Sequence, residues 1–406
     1  MKLNSDEMSG EMKINDKTND GTNNKINEEK SERNEEISER NEEIGEGISE
    51  KREEIFIRKK FLEYYSSHYI KGPRYISSRE FGFGSFDKKI ESRHFSFSSE
   101  YELNSYLKRN APIYISYSVA KYRYPTARMD KKEMISSDIV FDIDANEVAE
   151  FHKLKCNHDK KFVCEKCFSK TIECTQNLID FLKEDFGLSN EEIEINSSGN
   201  RGFHVHITKN LDLNSDARRR ICNYLNGNIQ IIFENLRPNS GGWKGRIANF
   251  FLDKLRKGEL KIFRMNKKTI DKIYKNFNNI QKNIEEGNWS FLSKRIKENI
   301  KKECVKKYSC CVDQQVTIDL TKLIRLPDSL HGETGLIAKR IKISDLNSFK
   351  FKKIIAFSEK NKIKVKANCG KFFLDEYFGP YKDEIIELPE YLGIYLICKK
   401  AATLIT

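Results

Sequence analysis

The sequence predicts an α/β or α+β catalytic core interrupted by a helical insertion, and three observations carry the prediction. Short runs alternating apolar and polar residues recur along the chain, as half-buried strands require. Stretches with apolar residues at helical spacing lie between them, so strands and helices interleave. Residues 213–235 and 246–302 break this alternation and read as mainly helical. At 406 residues the chain can hold one large domain or two smaller ones.

Taken in order, residues 1–52 are polar, highly charged and nearly free of aromatics. They contain a direct repeat, Ser31–Ile37 followed by Ser38–Ile44, with one Ile in each copy. That is too little apolar surface for a core, so a disordered tail or a frayed helix is expected. Folding should begin near Ile55, where Phe56, Phe61, Tyr64 and Tyr65 stand at helical spacing. Strand-like runs follow around Arg79–Phe86, Arg93–Phe97 and Ile113–Tyr117. The run Ile139–Asp144 is a strand with Val140, Asp142 and Asp144 on one face and Ile139, Phe141 and Ile143 on the other. A Cys/His cluster at 156–167 leads into a helix over about 170–186. Ile193–Asn196 and Phe203–Thr208 flank a Gly-rich turn and read as a hairpin. Val316–Leu326 is strand-like again, and the chain from 345 mixes short elements. The expected division is a tail (1–52), a core (53–210), a mainly helical subdomain (211–305) and a return to the core (306–406).

The formal net charge is +12, but residues 1–50 contribute −8, which leaves the remainder near +20. A body this basic suits a polyanionic partner such as nucleic acid or nucleotides. A Lys- and Asn-rich coding bias is the plainer source of the same charge. No run approaches the 18 or more apolar residues of a membrane span, and the N-terminus lacks an apolar signal segment, so a cytoplasmic protein is expected. Ten cysteines in such a chain point to metal ligands or buried thiols, not to a disulfide framework.

Four segments carry chemistry. Asp142 and Asp144, two apart on a strand, have the spacing to bridge a pair of divalent ions, although acidic pairs at strand ends are also common without metal. Cys156, His158, Cys164 and Cys167 supply four soft or borderline ligands around a Cys-x2-Cys knuckle, the donor set of one closed, structural zinc site. Cys304 with Cys310 and Cys311 is a weaker second cluster, since adjacent cysteines are more commonly packing residues. Ser198-Gly-Asn-Arg-Gly-Phe-His204 combines glycines that admit close backbone approach with Ser, Arg and His donors suited to phosphate oxygens. A solvated hairpin turn would look similar. The segment 311–336 again offers carboxylates, Asp313 and Asp319, followed by Arg325 and His331; as one extended strand it would point both acids to the same side.

In this order, these segments resemble the small, catalytic subunit of archaeal and eukaryotic replicative primases. The resemblance rests on Asp142-Ile-Asp144, on Ser198-Gly-Asn-Arg-Gly-Phe-His204 and on Leu323-Ile-Arg-Leu-Pro-Asp-Ser-Leu-His-Gly-Glu-Thr-Gly-Leu336. Arg79-Glu-Phe-Gly-Phe83 and a zinc-type cluster just after the Asp-x-Asp strand add to it, and it covers roughly residues 55–406. It implies that Asp142, Asp144 and Asp313 hold two catalytic Mg²⁺ or Mn²⁺ ions, with Asp319 as runner-up for the third acid. Ser198, Arg201 and His204 would bind the triphosphate, Arg325 and His331 would contact the nucleotide, and Arg93 stands where a phosphate-contacting Arg is expected. Asn200 departs from the eukaryotic pattern, which has a second Arg there; this leans toward the archaeal type and leaves one phosphate contact open.

The implied fold is a primase–polymerase core, α/β or α+β, with a mixed or antiparallel sheet carrying the three aspartates, a zinc knuckle (156–167) and a helical subdomain. The implied activity is synthesis of short RNA, or DNA, primers on a single-stranded DNA template from ribo- or deoxyribonucleoside triphosphates. The implied partner is a large subunit bearing an iron–sulfur cluster, for which no Cys pattern in this chain is suited. Two alternatives stand beside it: a polymerase of the same superfamily acting in repair, end joining or plasmid replication, and a non-catalytic zinc protein that binds nucleic acid. The second would need no carboxylate triad.

Overall fold

The structure, a computed structural model, describes residues 51–209 and 211–405. The tail expected over 1–52 lies outside the described residues except for its last two positions. Glu54–Thr406 forms one compact unit.

Helix α1 covers 51–67 and buries Ile57, Phe61, Tyr64 and Tyr65, which share one face at spacings of four, seven and eight. Strands β1 (Phe81–Gly84) and β2 (Ser92–Phe95) precede helix α2 (Glu100–Asn110), whose N-terminus is capped by the Ser99 side chain accepting from the Glu102 N–H. Next come β3 (Tyr114–Ser118), β4 (Ala120–Tyr122) and β5 (Met134–Ser137). Then β6 (Ile139–Asp144), helices α3 (Ala145–Phe151) and α4 (Glu165–Glu184), β7 (Ile193–Ser197) and β8 (Gly202–Ile207) build the central layer. Helices α5 (Ser215–Leu225), α6 (Gly242–Arg256), α7 (Lys267–Lys275), α8 (Phe277–Glu285) and α9 (Lys294–Tyr308) follow. The chain returns through α10 (Gln314–Ile318), β9 (Leu323–Arg325) and β10 (Arg340–Ile341). It closes with β11 (Lys362–Cys369), β12 (Phe372–Phe373), β13 (Tyr377–Phe378), β14 (Tyr381–Pro389), α11 (Glu390–Cys398) and β15 (Ala402–Leu404).

The architecture is α+β. One sheet has the order β2-β1-β3-β9, a second β10-β7-β8-β6 and a third β14-β11-β15, every pairing antiparallel. Of the mixed or antiparallel sheet expected to carry the three aspartates, the antiparallel form is realised, but it carries only Asp142 and Asp144, because Asp313 caps α10 beside the sheet edge. The hairpin expectation also holds, with Ile195 opposite Val205 and Asn196 opposite His204. Ile139, Phe141 and Ile143 are buried, and α4 packs on this sheet with Phe168, Leu178, Phe181 and Leu182 turned inward. Truncating a fully buried ring such as Phe141 to Ala would cost about 3–5 kcal/mol.

Strand β6 is the edge of its sheet, and the free edge is closed by side chains and by α10. The Asp313 N–H donates to the Asp142 carbonyl (2.9 Å) and Thr317 Oγ1 to the Val140 carbonyl (2.9 Å). Arg218, buried, donates through Nη1 to the Asp138 carbonyl (2.9 Å). Backbone groups that would otherwise be left unpaired are thereby satisfied.

This docking corrects one expectation. Residues 316–318 are helical, and only Leu323–Arg325 of the expected strand Val316–Leu326 is extended. Gln-Gln-Val-Thr-Ile alternates as a strand would, but the Asp313 carboxylate accepts the Gln315 N–H (2.7 Å) and starts a helical turn. The helix expected over 213–235 also stops early, at Leu225. No helix among the described residues is long and apolar enough to cross a membrane.

Candidate functional site

Carboxylates converge where β6, α3 and α10 meet. Asp142 and Asp144 sit two apart at the end of β6, and both are partly exposed (27% for each side chain) above a floor of buried Ile and Phe. Asp144 also caps α3, accepting the Asn146 N–H at 2.8 Å, just as Asp313 caps α10. Burial and the charges of Asp144, Glu147 and Asp313 push the Asp142 carboxyl up to about 8. Burial, then Asp313 and Asp144, pushes Glu147 up to about 7. A cluster in which neighbouring carboxylates hinder the ionisation of Asp142 and Glu147 is suited to divalent cations, which remove the repulsion. Asp142, Asp144 and Asp313 therefore fit such ions, and Glu147 joins them.

Asp319 does not share this cluster. It caps the other end of α10, accepts from the Thr321 N–H (2.9 Å) and raises the pKa of Arg93 and Tyr122 instead. The parity argument for a shared face fails because the intervening residues are helical. Arg93 is held by the fully buried Glu80, through Nε at 2.9 Å and Nη2 at 3.2 Å, with Lys132 and His94 at the same carboxylate.

Basic and imidazole groups gather on the neighbouring strands. β8 places His204 opposite Asp142, with Nε2 3.6 Å from Oδ1. Burial, then His206 and Arg325, lowers His204 to about 3, so the ring is neutral. His331 is driven well below its ordinary value by burial, Arg325, Lys399, Lys89 and His204. Its Nδ1 accepts the Glu333 N–H at 3.1 Å, which leaves the proton of the neutral ring on Nε2. Arg325, on β9, stacks over Tyr114 with the guanidinium 5.4 Å from the ring centroid, and its buried Nη1 has no hydrogen-bond partner.

The turn between β7 and β8 has the compactness its glycines allow. Ser198 Oγ accepts from the N–H groups of Asn200 (3.2 Å) and Gly202 (3.1 Å). Gly199 has φ +73°, and a side chain there would meet His331 Cβ at 2.9 Å. At Gly202 a Cβ would lie 2.0 Å from the Ile143 carbonyl, so only glycine lets β8 start this close to β6. Arg201 reaches back to Asp144 Oδ2 (3.3 Å) and the Lys160 carbonyl (2.7 Å).

Sequence reading missed Lys399, Glu333 and Glu147. Lys399 caps α11, is buried, and donates to Asn200 Oδ1 at 2.7 Å; Asn200 Nδ2 in turn donates to Glu333 Oε2 at 3.2 Å. Burial first, then Arg201, lowers Lys399 to about 7. Glu147 had a signal, being one helical turn beyond Asp144. Lys399 had none, because it follows a uniformly apolar helix almost 200 positions beyond its partner.

The knuckle forms. Cys164 Sγ lies 3.6 Å from the sulfurs of both Cys156 and Cys167, and Cys167 Sγ is 3.5 Å from His158 Nε2. A tetrahedral site with Zn–S near 2.3 Å has S–S edges of about 3.8 Å, so the four atoms stand close to zinc-ligand spacing. His158 Nδ1 lies 2.9 Å from the Asp159 carbonyl, the hydrogen bond that leaves Nε2 as the ligand atom. Cys304 and Cys310 are buried thiols, whereas Cys311 joins other partners.

The DNA primase small subunit family matches residues 141–343 of the chain. Among curated proteins, the DNA primase small subunit PriS of Methanococcoides burtonii is 33% identical over 404 residues, spanning 86% of this chain and 98% of the relative. That of Archaeoglobus fulgidus is 31% identical with the same coverage, and that of Nitrosopumilus maritimus is 27% identical, again over 86% and 98%.

Proposed function

The chain belongs to the DNA primase small subunit family, and from that premise we propose that it synthesises short RNA or DNA primers de novo on single-stranded DNA by two-metal nucleotidyl transfer. What supports this most is the cluster of Asp144, Glu147 and Asp313 around Asp142, with His204 3.6 Å from Asp142 and, beyond that histidine, Arg325, whose buried Nη1 is unpartnered. Mg²⁺ or Mn²⁺ held by Asp142, Asp144 and Asp313 would acidify the attacking 3′-hydroxyl and offset the charge of departing pyrophosphate. The residues around them orient the reactants. Arg325 and His331 Nε2–H donate to phosphate oxygens, joined by Ser198, Arg201 and the neutral His204. Joining two nucleotides without a primer end leaves all positioning to the protein, which suits so densely cross-bonded a pocket. Arg93 would touch phosphate only by sharing its guanidinium with Glu80. The knuckle would hold one structural zinc, closed to substrate because four ligands fill it.

The basic body of the chain suits a sequence-tolerant grip on template phosphates. A large subunit is the expected partner, as the relatives' name of small subunit indicates. A primer-synthesis assay on single-stranded DNA, with and without a large subunit and with ribo- against deoxyribonucleotides, tests the proposal. De novo products dependent on Mg²⁺ or Mn²⁺ are expected. Extension of supplied primers with no de novo product would favour a repair or end-joining polymerase of the same superfamily.

A further inference from the structure

Behind the carboxylates lies a second group of soft ligands. His152 Nε2, Cys174 Sγ and Cys311 Sγ form a nearly equilateral triangle, with separations of 3.6 Å, 3.7 Å and 3.6 Å. All three residues are buried, and all three atoms lie within the span one metal ion covers. These separations match those in the Cys156/His158/Cys164/Cys167 knuckle to within a few tenths of an ångström. Three elements distant in sequence deliver them: His152 ends α3, Cys174 sits in the middle of α4, and Cys311 precedes α10. Cys311 holds φ +51°, a left-handed conformation uncommon outside glycine, with its N–H donated to the buried Ser309 Oγ at 3.3 Å.

We propose that His152, Cys174 and Cys311 form a second metal site that takes Zn²⁺, with Ser309 Oγ or water as the fourth ligand. Two thiols and one imidazole, with no carboxylate among the three, select a thiophilic ion over Mg²⁺ or Mn²⁺. Two thiolates balance the charge of one Zn²⁺, which makes the ion tolerable in a buried place, and the two thiol protons leave to solvent on binding. Ser309 Oγ lies 3.7 Å from Cys311 Sγ, close enough to complete the set. The consequence is structural. The ion ties the helix that follows Asp144 to the segment that ends in Asp313, and so sets the spacing of two of the acids.

Elemental analysis of the full-length protein, purified under reducing conditions and dialysed against excess Mg²⁺ to clear the carboxylates, decides the matter. About two zinc ions per chain are expected in the wild type, and about one in both the Cys164→Ser/Cys167→Ser and the Cys174→Ser/Cys311→Ser proteins. Should the second pair fail to fold, Co²⁺ titration of the Cys164→Ser/Cys167→Ser protein gives the answer. A thiolate-to-cobalt charge-transfer band with tetrahedral visible bands is expected, and its absence overturns the site. A wild-type protein with about one zinc, lost altogether from the Cys164→Ser/Cys167→Ser variant, also overturns it. In that case the triangle is a hydrogen-bonded thiol–imidazole cluster or a Cys174–Cys311 disulfide, which peptide mapping distinguishes.

Discussion

Strands β6 and β8 lie side by side in register, yet the two regions they build hold opposite excesses of charge. On the β6 side, burial and the neighbouring charges of Asp144 and Asp313 raise the proton affinity of Asp142 and Glu147. On the β8 and β9 side, burial first and then neighbouring basic groups lower the proton affinity of His204, His331 and Lys399, with Arg325 acting on both histidines and Arg201 on the lysine. Direct contacts between the sides are few, Arg201–Asp144 at 3.3 Å and His204–Asp142 at 3.6 Å. Had stability alone shaped them, the two sets would neutralise each other by pairing. Their separation instead leaves one region suited to cations and the other to anions, the two halves of a metal–triphosphate complex.

The largest effect should come from the acidic half. Asp142→Asn or Asp144→Asn keeps shape but removes a metal-binding charge, so primer synthesis should fall on the order of 10³-fold. Circular dichroism should show the fold intact, and near-normal synthesis with Mg²⁺ would sink the cation reading of this region. Asp313→Asn should be comparably damaging, whereas Asp319→Asn should stay within about a factor of 2 of wild type, the scale of a surface substitution. The reverse ranking of those two rates would show that the helical turn at 314–318 misassigns the third acid.

In the basic half the expected losses are smaller and fall on binding. Arg325→Met retains bulk over Tyr114 but removes a charged donor worth about 1.5–3 kcal/mol, so the nucleotide KM should rise roughly 10- to 100-fold. An unchanged KM from steady-state kinetics would remove Arg325 from the anion site. Lys399 should report itself through pH. Its folded value of about 7 lies below the ordinary 10.5, so the free pocket holds it neutral above pH 7. A triphosphate favours the charged form and draws a proton in, so affinity should fall as pH rises past 7. Between pH 7 and 9, wild-type affinity should drop roughly tenfold more than that of Lys399→Met. The same depression makes the unfolded chain the better proton binder from about 7 to 10.5, so the cost of burying Lys399 falls as pH rises through that window. Parallel binding curves for the two proteins across pH would show that Lys399 supports the fold without meeting the anion.

Much of the site was legible before any coordinates. The period of two through Ile139–Asp144 assigns the core and acidic faces, Ser198–Gly202 announces a tight turn, and the Cys/His spacing announces a knuckle. What misled was also local. Gln314–Ile318 alternates like a strand, but five residues cannot fix a period against an Asp at the N-cap position and an edge strand offering carbonyls. The capping hydrogen bond from Asp313 and the hydrogen bonds to β6 are among the interactions that favour the observed helix over the patterned strand.

The chain by itself determined which residue types stand at fixed short separations, because strand alternation, glycine turns and ligand spacing are properties of neighbours along the backbone. It thereby determined the Asp142–Asp144 pair, the four-ligand knuckle and the family to which they belong. Only the tertiary structure decided which distant groups meet. Asp313 rather than Asp319 joins the acids, Lys399 reaches Asn200 across 199 positions, and Cys311 finds His152 and Cys174. Such meetings depend on how an edge strand is covered and how a buried amine or thiol finds its partner, and those are settled by packing in three dimensions, which no period along the sequence encodes.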